Sequence, residues 1–373
     1  MKRRDFVRLA GTAALAPGLT RAIDSDLFVR ARTAPSWPGY DDALVIDALA
    51  GPIQFNIPQQ SLPLADAALD HIRRSGITAV NLTVNARASE GGSAFENTQA
   101  RIADWTSELR AQPAVLTGVR AIDDVRDAKA TGRLGLILGF QDGVPVEDDL
   151  QRISEFYDLG IRIIQLTYNE RNLLGNGCYE RVDEGLSRFG LAAVTEMNRL
   201  GILIDLSHVG DRTTLDAIEH SETPVAITHA LARSQIDHPR NKTDEAIRNL
   251  VARGGVIGAN AFPMFFEHGF ETTLAQYLDA IDYLVQMVGP RHVGIGTDFC
   301  MEQPREWFEW LFASRGMIPA KDVAFTPHPY QHLVGFESPA SWNRLAEGGD
   351  LTGVFFGLYD AQGRLLLPPP PPP

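Results

Sequence analysis

The chain has 373 residues, 44% hydrophobic and 22% charged, the make-up of a globular protein that buries a sizeable core. A formal net charge of -13 argues against a nucleic-acid partner, which would favour a basic face. Two cysteines, Cys178 and Cys300, make no disulfide framework.

The chain opens on MKRRDFVRLAGTAALAPGLTRA. Arg3 and Arg4 precede Asp5 and Phe6, and a short, weakly apolar stretch ends at Ala22. This order predicts a twin-arginine signal over residues 1–22 and a periplasmic destination for a folded protein. A Pro-containing linker is expected over 23–42. No later stretch reaches the apolar length of a membrane span.

From residue 43 onward, short apolar runs alternate with helical patterns. Strands are predicted at ALVIDAL (43–49), ITAVNLTV (77–84), LGLILGF (134–140), RIIQLT (162–167), ILIDLS (202–207), PVAIT (224–228), GVIGAN (255–260) and HVGIGT (292–297). Most are continuous apolar runs, as in parallel strands covered on both faces. Amphipathic segments such as ISEFYDLG, FGLAAVTEMNRLG and LAQYLDAIDYLVQMVG separate them. Gly160 and Gly201 are placed to close helices. Eight strands in alternation predict an α/β fold, a (β/α)8 barrel of TIM type, over residues 43–347. An open doubly wound sheet is the runner-up, weakened by the lack of a G-x-G-x-x-G turn. AVLTGVR (114–120) falls outside the count of eight, as an extra strand or part of a loop. Residues 348–373 lose periodicity and end in six prolines, which favour an exposed polyproline segment.

Polar residues gather at the predicted strand ends. They are Gln141 and Asp142, then Tyr168 to Asn172, His208, His229 with Arg240 and Asn241 in the loop beyond, and Asp298. In a barrel all of these share the C-terminal mouth. His208 and His229 follow consecutive strands, so two imidazoles can meet on one metal ion. Asp298 is a third ligand, a proton acceptor, or the N-cap of the segment after it. Arg240 is a carboxylate anchor or one half of a loop salt bridge.

The stretches FYDLGIRIIQLTYNERN, GLSRFGLAAVTEMNRLGILIDLSHVG, PVAITHALARSQIDHPRN, GGVIGANAFP and HVGIGTDF resemble, in order, the membrane dipeptidase (renal dipeptidase) family of zinc hydrolases. The resemblance implies a metallo-dependent hydrolase barrel that cleaves dipeptides at two bridged zinc ions. It implies zinc ligation by His208 and His229, proton transfer by Asp298, and substrate contact by Arg240 with Asn241. It also implies a small-molecule substrate and a homodimer.

The departures from the family pattern are equally specific. Where the family's first strand ends in a His-x-Asp pair, this chain has Leu49 and Gly51. Its bridging Glu falls at Gln141, beside Asp142, and its substrate-contacting His at Tyr168. An amide oxygen lacks the charge that makes carboxylate binding to zinc favourable. The expected site is therefore mononuclear, one Zn2+ rather than two, on His208 and His229 with Asp142 or Asp298 as third donor. The alternatives are a barrel that binds a small ligand without turnover, and a metal-dependent hydrolase of another amide, lactam or ester. After SWNRLAEG the chain also leaves the family pattern, through a shifted reading frame, a truncation or a lineage-specific tail.

Overall fold

The computed structural model describes residues 43–51, 62–88 and 91–299, together with 309, 313, 333–336 and 342. The expected signal, the linker up to residue 42, Cys300 and the 348–373 tail lie outside the described residues.

Among the described residues there are nine parallel strands: β1 (Ile46–Asp47), β2 (Ala79–Thr83), β3 (Leu116–Val119), β4 (Leu134–Phe140), β5 (Ile163–Gln165), β6 (Leu203–Asp205), β7 (Ala226–Ala230), β8 (Val256–Ala259) and β9 (Val293–Ile295). Eight of them run in the order β1-β2-β4-β5-β6-β7-β8-β9. Backbone bonds join the two ends of that series. Ala48 N donates to Ile295 O (2.9 Å), Asp298 N to Leu49 O (2.8 Å) and Gly51 N to Phe299 O (3.0 Å). The eight strands are those predicted from sequence, and with the intervening helices they form the (β/α)8 barrel.

The run at 114–120 is an additional strand. β3 pairs with Leu134–Ile137, the first half of β4, whereas β5 pairs with Gly139 and Phe140 at its far end. One edge of a seven-residue strand thus serves two short neighbours, and β3 stays off the ring.

Alternation along the strands divides the apolar residues into two sets. Ile46, Ala48, Ala79, Ile137, Ile163, Ala226 and Val256 cluster together, consistent with the inside of the ring. Val80, Leu82, Leu136, Leu138, Ile204, Ile227, Ile257 and Ile295 belong to the larger cluster, which also takes in the helices.

Eight α-helices are described: α1 (Asp66–Ser75), α2 (Ala94–Ala111), α3 (Ile122–Thr131), α4 (Gln151–Leu159), α5 (Arg188–Leu200), α6 (Asp211–His220), α7 (Asp244–Ala252) and α8 (Leu274–Val288). Their ends follow from local chemistry. Ser93 with Glu96, and Thr273 with Gln276, form capping boxes that satisfy the first turns of α2 and α8. Gly160 and Gly201 adopt the left-handed conformation that stops α4 and α5, at φ 108° and 76°. No helix among the described residues is long and apolar enough to cross a membrane.

Candidate active site

The turn after β6, which carries His208, and the C-terminal end of β7, which carries His229, bring two imidazoles together. Nε2 of His208 lies 3.0 Å from Nε2 of His229. Both rings are buried. Each is oriented from its other nitrogen: Nδ1 of His208 is 2.7 Å from Asn169 Oδ1, and Nδ1 of His229 is 2.7 Å from Thr228 Oγ1. Tyr168 stacks on His208 with ring centroids 4.2 Å apart.

These contacts bear on where the ring protons sit, through the Asn169 amide for His208 and the Thr228 hydroxyl for His229. An amide oxygen only accepts, so His208 donates from Nδ1 to Asn169. Thr228 Oγ1 donates to Asp205 Oδ2 (2.7 Å), so it accepts from His229 Nδ1. Both Nε2 atoms then present lone pairs to each other. With the Asn169 oxygen facing His208 these lone pairs lie 3.0 Å apart, an arrangement a cation would satisfy; with the amide turned, His208 instead donates from Nε2 to His229 Nε2. As that cation a proton is disfavoured, because burial and then the Arg240 charge, with Lys242 contributing, hold both histidines well below the usual imidazole range. Two nitrogens bound to one tetrahedral zinc lie about 3.3 Å apart, close to the separation seen.

Arg240 is buried with its guanidinium directed at the backbone that carries the histidines. Nη1 donates to Ser207 O (2.6 Å) and Nη2 to His229 O (2.7 Å), while Nε has no hydrogen-bond partner among the described residues. Asn241 braces the same loop, accepting from Leu231 N (3.3 Å) and donating to Ile236 O (2.9 Å). Lys242, also buried, donates to Val209 O (2.5 Å) and Thr214 Oγ1 (3.3 Å), and burial pushes its ammonium down to about 7.

Asp298 follows β9 in a left-handed conformation, at φ 59°. Burial pushes its carboxyl up to about 6, against the Arg240 charge and a hydrogen bond with Asn260. Asn169 is also left-handed, at φ 65°, so two non-glycine residues at the mouth hold an uncommon backbone conformation.

The remaining predicted residues stand on the β4 side. Asp142 accepts from Asn172 Nδ2 (3.0 Å) and Val144 N (3.2 Å), and pairs with Arg87 (3.4 Å). Burial pushes its carboxyl up to about 6, against the Arg87 charge. Gln141 Nε2 donates to Thr83 Oγ1 (3.0 Å), and its backbone carbonyl accepts from Gln165 Nε2. Among the described residues, no His, Cys, Asp or Glu joins the histidine pair in a metal-binding group of three. At the end of β1, Leu49 and Gly51 offer no side-chain donor to a metal.

Sequence reasoning passed over Thr228, Asp205, Lys242 and Arg87, and named Asn169 only among the polar residues after β5, without a role. The signal for Asp205 and Thr228 is a polar residue inside an otherwise apolar strand, in ILIDLS and PVAIT.

Fold and mouth together define a parallel β/α barrel of the amidohydrolase and dipeptidase type. The chain belongs to the membrane dipeptidase family (Peptidase family M19), whose model matches residues 44–309. An uncharacterized dipeptidase of Schizosaccharomyces pombe is 32% identical over 185 residues, which cover 48% of this chain and 44% of that one. A second from the same organism is 34% identical over 151 residues, 39% of this chain and 37% of that one. The matched region thus spans less than half the length of these curated relatives. Among solved structures, an amidohydrolase from Pseudomonas aeruginosa is 33% identical, with a TM-score of 0.71 over 84% of this chain and 93% of that one. A Rhodobacter sphaeroides metallo peptidase, liganded with a phosphinate mimic of the dipeptide L-Ala-D-Ala, shares the fold at 20% identity, with a TM-score of 0.64 over 82% of this chain and 91% of that one.

Proposed function

We propose that this chain is a metallodipeptidase with a reduced, mononuclear centre: one zinc ion held by Nε2 of His208 and Nε2 of His229. The observation that carries the proposal is the 3.0 Å approach of the two buried Nε2 atoms, with each ring held from its Nδ1 side by Asn169 or Thr228. Leu49 and Gly51 give a second ion nothing to bind, and the amide of Gln141 is a weak bridge.

When bound, zinc supplies Lewis-acid polarisation of the scissile carbonyl. Asp298 takes the proton of the attacking water and returns it to the leaving amine. Its elevated carboxyl range suits a group that must both accept and release a proton near neutral pH. Arg240 presents a buried positive charge, with Nε to spare, to the substrate's carboxylate. Asn241 holds the loop that carries Arg240. Tyr168, packed on His208, walls the pocket against water, and Asp142 with Gln141 borders it on the β4 side.

Export through the twin-arginine pattern of residues 1–22 belongs to the same proposal. That route carries folded protein, so the metal can be loaded before the chain reaches the periplasm.

The test is zinc per chain, on protein made without chelators, followed by hydrolysis of a dipeptide panel that includes L-Ala-D-Ala. One zinc, with turnover lost in His208→Ala, is expected. Full activity without metal overturns the proposal. A second reading, a barrel that binds its ligand without turnover, draws support from the two-histidine cluster, which has no third acidic, thiol or imidazole donor among the described residues. Ligand-induced stabilisation with neither zinc nor hydrolysis selects it. Turnover of other amides, lactams or esters, with dipeptides untouched, places the chain with hydrolases of a different scissile bond.

A further inference from the structure

Behind His229 lies a set of buried hydroxyl and carboxylate groups that the proposed chemistry leaves without a task. Asp205, fully inside the barrel, receives donors on both oxygens. Ser207 N (3.0 Å), Ser207 Oγ (2.5 Å) and Thr228 N (2.9 Å) converge on Oδ1, and Thr228 Oγ1 (2.7 Å) reaches Oδ2. The two backbone N–H groups can only donate, and both hydroxyls reach the carboxylate as donors; these four bonds favour its ionised form, against burial, which pushes the carboxyl up.

The two hydroxyl protons are therefore both committed. Ser207 gives its proton to Oδ1 and is left to accept from His229 N (3.0 Å). Thr228 gives its proton to Oδ2 and is left to accept at 2.7 Å from His229 Nδ1. The 3.1 Å approach of Ser207 Oγ to Thr228 Oγ1 then carries no proton. His208 is held differently. Its partner Asn169 is a side-chain amide, which can turn to offer either its oxygen or its nitrogen. Of the two imidazoles, only His229 has its tautomer dictated by a carboxylate.

We propose that Asp205 and Thr228 form a positioning relay that fixes His229 as the Nδ1–H tautomer and reserves its Nε2 lone pair for a divalent cation. The relay rests on the metal-binding reading above. Asp205 touches neither cation nor substrate. It acts through the threonine hydroxyl, and supplies a buried negative charge near the buried cations Arg240 and Lys242.

The test has two readouts on the full chain. In metal-free protein labelled with 15N-histidine, the tautomer of each ring is read from its nitrogen shifts, and His229 is assigned from the signal lost in His229→Gln. The wild type is expected to show His229 protonated at Nδ1. Thr228→Val is expected to move it towards Nε2–H, and Thr228→Ser to keep it at Nδ1. Zinc alone is then titrated into each variant. Thr228→Val is expected to bind 10- to 100-fold more weakly, and Thr228→Ser close to wild type. Nε2–H on His229 in the wild type overturns the relay, as does a folded Thr228→Val that binds zinc as tightly as the parent. If Thr228→Val fails to fold, the wild-type tautomer decides. If the wild type shows the Nδ1–H tautomer and binds no zinc, the metal reading falls and the hydrogen-bond relay stands.

Discussion

Arg240 reaches back from its loop to hold the carbonyl of His229, so the residue proposed to face the substrate also fixes the backbone of an imidazole in the proposed metal site. The 2.7 Å bond from Nη2 to that carbonyl, with its 2.6 Å counterpart to Ser207 O, ties one guanidinium to the ends of two neighbouring strands. Replacing Arg240 with Lys keeps the charge and loses the fork. Arg240→Lys is expected to raise KM about tenfold or more, equivalent to about 1.4 kcal/mol. Arg240→Met is expected to lose in addition about 1–3 kcal/mol for each carbonyl left without a donor. Steady-state kinetics and urea unfolding measure the two effects separately.

Asp298 allows the proton-handling and metal-binding roles to be told apart. Asp298→Asn keeps the size of the side chain and removes its basicity. We expect kcat to fall on the order of 10²–10⁴-fold with zinc content unchanged. Loss of zinc in this variant, read by elemental analysis, would make Asp298 a ligand instead of a base.

The bare tip of β1 can be refilled. Among the described residues, a Cβ on Gly51 would meet Leu82 Cδ1 at 3.3 Å, the end of a flexible side chain. The triple variant Leu49→His, Gly51→Asp, Gln141→Glu restores the family's donors there. It is expected to raise zinc from one ion per chain to two. An unchanged count of one would show that the lost donors alone do not explain a single-ion site.

Asp47 gives stability a pH dependence of its own. Burial raises its carboxyl from 3.8 to about 7, against bonds from Thr297 and Leu49. The folded value lies above the unfolded one, so the contribution is fully present below about pH 4 and is lost as pH rises through 7. Asp47→Asn mimics the protonated form, with Nδ2 facing Thr297 Oγ1. It is expected to match wild type below about pH 4, to exceed it already at pH 5, and to exceed it at pH 8 by at most about 4 kcal/mol. Thermal melts across that range check the sign.

The eight ring strands were legible because each is covered on both faces and reads as an apolar run. β3 was ambiguous for a physical reason: it borrows half of an edge that β5 completes, and no local pattern reports such sharing. His208, His229 and Asp298 stood out because a polar side chain at the end of an apolar strand has few other places to go. The groups that orient them did not stand out. Thr228 and Asp205 are ordinary strand residues until register sets them side by side, and Asn169 depends on a left-handed turn that its sequence context does not announce. The sequence also left Asp142 open as a third donor, whereas its oxygens are engaged by Asn172, Val144 and Arg87.

The seam between β1 and β9 carries a further consequence. Asp298 hangs from the carbonyl of Leu49, and Thr297 from the carboxylate of Asp47, across a separation of 250 residues. Neither end of the ring can be finished until the other has been made, and contacts so far apart along the chain form late and slowly. Asp298, the proposed base, therefore reaches its place when the barrel shuts. Under that proposal a nascent or nicked chain missing either side of the seam can hold the histidine pair and still be inert, so that any hydrolysis would report closure of the whole ring.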